Sequence, residues 1–83
     1  MIRIKYFARL REAVGQREES LPLPESVATV TDLRDFLGRR DEAWQQAMQM
    51  GGLLVAVNQT VVDWNQPLSG DEEVAFFPPV TGG

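Results

Sequence analysis

Residues 2–8, Ile-Arg-Ile-Lys-Tyr-Phe-Ala, alternate apolar and basic positions with the two-residue period of a half-buried strand, placing Ile2, Ile4 and Tyr6 on the covered face. That phase sets Phe7 beside Arg3 and Lys5, either within an apolar surface patch or, if the strand stops at Tyr6, turned inward. Leu10 to Val14 followed by Gly15 reads as one short helical turn closed by a left-handed glycine. Residues 19–23 make a weaker strand that Pro22 and Pro24 confine to a sheet edge or terminate. Thr29 with Asp32 three positions on has the form of a capping box, and Leu33, Phe36 and Leu37 give the helix it opens one apolar face. Gly38 weakens that helix, Asp41 caps a continuation, and Ala43, Trp44, Ala47 and Met48 carry the stripe as far as Gly51-Gly52. A Trp and Met stripe at this spacing is core material rather than a cofactor box.

Leu53 to Val57 is apolar at every position, the pattern of a central strand covered on both sides. Asn58-Gln59 gives a turn, 60–63 a short return strand, 65–67 a loop, and Ser69-Gly70-Asp71 a last turn before a strand over 73–77. With Val74 and Phe76 inward, Ala75 and Phe77 face outward. The order of strand, short helix, strand, helix and three strands predicts an α+β domain, a mixed sheet with one main helix packed on one face. No repeat or linker divides the 83 residues, so the chain reads as a single domain with 78–83 as an extended C-terminal tail.

Composition narrows the chemistry. Eight Lys and Arg against twelve Asp and Glu leave a net charge of −4, the wrong sign for a nucleic-acid partner. There is no cysteine and no histidine, which removes disulfides, thiolate nucleophiles, Ser-His pairs and zinc sites, so no metal site is expected. The glycines form neither a dinucleotide fingerprint nor a phosphate-binding loop. Asp71-Glu72-Glu73 reads as a solvated turn rather than a catalytic carboxylate pair. Arg3, Lys5, Arg9, Arg11 and Glu12 interrupt any signal-peptide core, and the apolar run Gly51 to Val57 is too short for a bilayer, so the expectation is a cytoplasmic protein without a membrane partner.

The remaining candidate is the C-terminal segment Phe76-Phe77-Pro78-Pro79-Val80-Thr81-Gly82-Gly83. Two prolines cannot donate ladder hydrogen bonds, so they end the strand and send the chain on as a stiff extended segment. Two glycines without side chains pass a narrow channel and present a carboxylate at its floor. A carboxylate becomes an acyl donor once ATP adenylates it, and sulfide attack on the adenylate leaves a terminal thiocarboxylate.

Phe7-Ala8, Arg11-Glu12 with Gly15, Leu53 to Thr60 and above all Asp71 to Gly83 resemble the small subunit of molybdopterin synthase, the MoaD-type sulfur carrier. The resemblance implies a ubiquitin-like β-grasp fold and no permanently bound cofactor. It implies that an E1-like enzyme uses ATP to adenylate Gly83, which then becomes a thiocarboxylate at the expense of a sulfur donor protein. It further implies a heterotetramer of two small and two large chains. Within it, the large subunit receives Gly82, Gly83 and the tail Phe77, Pro78, Pro79, Val80 and Thr81, and sulfur passes to cyclic pyranopterin monophosphate to form the molybdopterin dithiolene. The small chain is non-catalytic alone and supplies the sulfur. Phe7, Val61 and Phe77 fall at positions resembling the family's hydrophobic contact surface, and Arg11 matches either as an interface residue or as a structural arginine paired with a carboxylate. Ser69-Gly70-Asp71-Glu72-Glu73 departs from the family's Asp-Gly-Asp-Glu, with its glycine one position early, which leaves the turn type open. Two alternatives are a carrier for thiamine thiazole synthesis or tRNA thiolation, and a ubiquitin-like interaction module or modifier joined through Gly83. The Phe-Phe-Pro-Pro-Val-Thr run separates this chain from the thiamine carriers.

Overall fold

The computed structural model of the chain describes residues 1–79, and Val80, Thr81, Gly82 and Gly83 lie outside the described residues. The elements run β1 (Ile2–Tyr6), α1 (Ala8–Val14), β2 (Glu18–Leu21), α2 (Val30–Gly38), α3 (Glu42–Met48), β3 (Leu54–Val57), β4 (Thr60–Val61) and β5 (Glu73–Phe77). The five strands form one mixed sheet in the order β2-β1-β5-β3-β4, with β1 and β5 parallel and the other pairs antiparallel. The α+β reading holds, with three helices where one main helix and a short turn were expected.

Alternation in β1 and β5 assembles the core. Ile2, Ile4, Tyr6, Val74 and Phe76 are almost completely buried, and Leu10, Leu33, Leu37, Trp44, Ala47 and Met48 of the helices cover them. The rings of Tyr6 and Trp44 meet edge to face at 5.2 Å, and Phe76 stacks between Tyr6 and Trp64. Gly15 closes α1 at φ 74°, returning its N–H to the carbonyl of Arg11, as the glycine position predicts. The helix itself begins at Ala8, two residues earlier than its apolar pattern suggests. The capping box is formed: Thr29 accepts from the N–H of Asp32, while the Asp32 carboxylate accepts from the amides of Ala28 and Thr29.

The expected continuation of α2 is a separate helix. Asp41 caps α3 through the N–H of Trp44, and Arg39 and Arg40 form the break. Arg40 donates two 2.7 Å bonds to Glu19 of β2 while its guanidinium lies 4.6 Å over the Trp44 ring, and the Tyr6 hydroxyl donates to the same carboxylate. This cluster ties the sheet edge to the helix break. Arg40 is the main reason the Glu19 carboxyl is held below its usual range, whereas burial, reinforced by Glu19, raises the Tyr6 hydroxyl. Ala43, placed in the apolar stripe by spacing, is exposed.

Two strand expectations change. β5, not β3, is the middle strand, and only one face of β3 carries helices: Val55 and Val57 point into the core, while Leu54 on the other side is 38% exposed. The return strand is two residues long, held by a tight turn in which Asn58 and Gln59 take φ values of 50° and 70°.

Candidate functional site

Among the described residues the sheet face away from the helices has no second layer, and the register determines what it displays. Lys5 pairs with Ala75, Ala75 with Ala56, and Ala56 with Val61, so these four side chains form a row across β1, β5, β3 and β4. Phe77 and Leu54 pair one step along, and Phe7 follows β1 at the same end. Phe7 is 47% exposed and Val61 62%, large apolar exposures for so small a domain. Between them lies a groove of about 420 Å³ lined by Lys5, Phe7, Ala56, Gln59, Glu73, Ala75 and Phe77.

Phe7 does not turn inward although β1 ends at Tyr6. Its N–H donates to the carbonyl of Phe76, and Ala8 adopts φ 54°, a left-handed conformation uncommon outside glycine, to swing the chain directly into α1. The turn leaves the Phe7 ring outside. Strain of this kind persists only where surrounding contacts enforce it. At the groove's polar rim Lys5 Nζ lies 2.7 Å from Glu73 Oε1, and this bond is the leading reason the Glu73 carboxyl is depressed.

The acidic turn is a structural device. The Glu72 carboxylate accepts from the amides of Ser69, Gly70 and Asp71 and from the Ser69 hydroxyl, at 2.7 to 3.2 Å. Burial opposes its ionisation, but these bonds together prevail and bring its pKa to about 2. Gly70 at φ 122° permits the turn, which resolves how a glycine one position early is accommodated. From there β5 runs straight to the tail.

The sequence-predicted site residues separate into three groups. Phe7 and Phe77 share the groove, and Val61 stands beside it opposite Ala56. Arg11 lies on exposed α1, does not line the groove, and makes no ion pair among the described residues, so the carboxylate partner expected of a structural arginine is not found there. Pro78, expected to project in the tail, is buried on its own domain, and Pro79 is half-buried. Val80, Thr81, Gly82 and Gly83 fall outside the described residues. Sequence reasoning placed Ala75 outward but missed Leu54 and Ala56 as surface-face residues, because their unbroken apolar run concealed the two-residue period. Lys5 and Glu73 were visible as charges, not as the rim of a groove.

Among the described residues there is no cluster of three or more His, Cys, Asp or Glu able to hold a metal ion, and no helix long and apolar enough to cross a membrane. The arrangement is an exposed apolar face that includes the end of β5, whose sequence continues to two glycines.

Comparison with known proteins agrees with this geometry. The chain is 43% identical to the molybdopterin synthase sulfur carrier subunit of Escherichia coli and 37% identical to that of Haemophilus influenzae, in each case over the full length of both chains. The structure of SAMP1 from Haloferax volcanii, a small archaeal modifier protein, superimposes with a TM-score of 0.78 at 28% identity, covering 99% of this chain and 98% of the other. The fold is the ubiquitin-like β-grasp. Residues 4–83 match the ThiS family, to which this chain belongs.

Proposed function

We propose that this chain is the sulfur carrier subunit of molybdopterin synthase and that its chemistry resides at Gly83. The observation that carries the reading is continuity: the exposed apolar face around Phe7, Val61 and Phe77 includes the end of β5, after which the sequence continues Pro78-Pro79-Val80-Thr81-Gly82-Gly83. In this reading the face docks on a large synthase subunit, two small chains with two large, and the tail enters that partner's site. Aromatic anchors with charges at the rim are the composition of such interfaces.

The chemical steps follow from the carboxylate. Within an E1-like enzyme the Gly83 oxygen attacks the α-phosphorus of ATP, the bond to pyrophosphate breaks, and an acyl-adenylate forms. A sulfide equivalent from a donor protein then attacks the acyl carbon and expels AMP, leaving the thiocarboxylate. In the synthase the thiocarboxylate sulfur bonds to a carbon of cyclic pyranopterin monophosphate as a C–O bond at that carbon breaks and its oxygen leaves; water then cleaves the acyl C–S bond, so the sulfur stays on the substrate and Gly83 regains its carboxylate. Two such deliveries supply the dithiolene. The carrier's own residues supply docking and reach; the four residues beyond Pro79 can span at most about 14 Å. The expected compartment is the cytoplasm, where these partners and ATP meet.

The likeness to SAMP1 favours one second reading, a modifier whose Gly83 is joined to lysine amines. One experiment separates the two and tests the first: a single residue is added after Gly83 and molybdopterin formation is measured with saturating large subunit. The carrier reading expects formation to stop with thermal unfolding unchanged, since only the tail is altered. Normal turnover overturns it, and isopeptide conjugates of the unextended chain in cell extract establish the modifier.

A further inference from the structure

The antiparallel register of β3 and β5 pairs Leu54 with Phe77 and Val57 with Val74. Extended by two residues, the same register sets Leu53 opposite Pro78 and Gly52 opposite Pro79. The hydrogen bonds do not follow, because neither proline has an N–H and the Leu53 N–H is already donated to the carbonyl of Met50. The pleat does follow: Leu53 and Pro78 are both buried on the core side, and Pro79 lies against Gly52 on the other. The base of the tail is therefore fixed by ring packing where its ladder has ended.

Gly52 has two properties that make this contact possible. Its φ is 78°, the left-handed region, and a Cβ added there would stand 3.0 Å from Cγ of Pro79 and 3.5 Å from its Cβ and Cδ. Even a methyl group at 52 obliges the proline ring to give by a few tenths of an ångström, and a larger side chain by more. We propose that Gly52 is a positioning residue for sulfur delivery: by admitting the Pro79 ring against the turn before β3, it fixes the point and direction from which the sulfur-bearing tail departs. This rests on the carrier reading and adds to it the element that aims the tail. Misplacing a reacting group by about 1 Å can cost a hundredfold in rate, so a small displacement at the base is enough to matter at Gly83.

Gly15 provides a matched control. It has nearly the same conformation, φ 74°, and nothing within 4 Å of an added Cβ, so Gly15→Ala carries the backbone strain of Gly52→Ala without meeting the tail. Each variant is loaded to the thiocarboxylate, its loading is measured by intact mass, and single-turnover sulfur transfer is followed with saturating large subunit alongside partner affinity and thermal unfolding. Gly52→Ala is expected to transfer about tenfold or more slowly than Gly15→Ala, with equal loading and partner affinity. Pro79→Ala removes the ring, and adding Gly52→Ala to it is expected to cause no further slowing. Equal transfer rates in the two glycine variants, or multiplicative effects in the double variant, overturn the proposal. If Gly52→Ala does not fold, Pro79→Ala alone decides: slowed transfer at saturation with unchanged partner affinity supports the contact, and an unaltered rate overturns it. Failure of the unsubstituted protein to load or transfer sulfur would instead refute the carrier reading on which the proposal rests.

Discussion

Replacing Val61 by aspartate separates docking from folding more cleanly than any other change on the outer sheet face. Val61 occupies a two-residue edge strand and is 62% exposed, so most of its side chain has nothing to lose on substitution in the isolated domain. A change at such a position alters monomer stability by about 1 kcal/mol or less, a shift of roughly 4 to 8 °C at most for a domain of this size. Full burial of a valine is worth about 1.5 to 3 kcal/mol, of which somewhat more than half is still available to a partner. An aspartate there forfeits this and adds an unpaired buried charge, for a total of about 2 to 5 kcal/mol. Each 1.4 kcal/mol is tenfold, so the dissociation constant for the large subunit should rise by a factor of about 30 or more. Titration calorimetry with purified large subunit measures this, with Gln45→Glu as a control that adds the same charge on exposed α3 across the sheet. Unchanged affinity refutes the outer face as the docking surface, and collapse of the monomer shows that Val61 belongs to the core.

Two further predictions concern the scaffold beneath this face. Glu72→Gln removes the anion that gathers the amides of Ser69, Gly70 and Asp71, and should cost about 1 to 2 kcal/mol at neutral pH in urea unfolding, after allowance for solvent screening. Because the folded pKa of Glu72 is lowered to about 2 from 4.5, this advantage is complete above about pH 5 and is lost as pH falls through 2; a difference from the unsubstituted protein that is undiminished between pH 5 and pH 2 contradicts the assignment. Thr29→Ala breaks the capping box of α2 and should destabilise the domain by about 1 kcal/mol without altering affinity for the large subunit, since α2 packs on the opposite face. A stability difference near zero would mean that the cap contributes nothing.

The parts of the fold legible in the sequence were those governed by neighbours along the chain. The alternation of Ile2, Ile4 and Tyr6, the Thr29-Asp32 cap, the Gly15 terminator and the phase of Val74 and Phe76 are all local patterns, and each is found in the structure. What the sequence concealed depends on distant pairs. Glu19 and Arg40 are 21 residues apart, so the ion pair that ties β2 to the segment between α2 and α3 could not be read from local pattern. An apolar run such as Leu53 to Val57 looks the same whether its second face meets helices or awaits a partner, so the display of Leu54 and Ala56 became visible only from the strand order. Pro78 marks the end of hydrogen bonding, as expected, but the loss of one donor did not reveal that its ring remains packed opposite Leu53. The role read for the diglycine rests on its chemistry rather than its conformation, and Gly82 and Gly83 lie outside the described residues.

The central claim is that Gly83 carries sulfur, and intact-protein mass spectrometry tests it most directly after incubation with ATP, a sulfur source and an E1-like activating enzyme shown to be active on a known carrier. The account predicts a mass gain equal to the replacement of one oxygen by sulfur, located at Gly83 by fragmentation and absent when ATP is withheld. An unchanged mass under these conditions would contradict it.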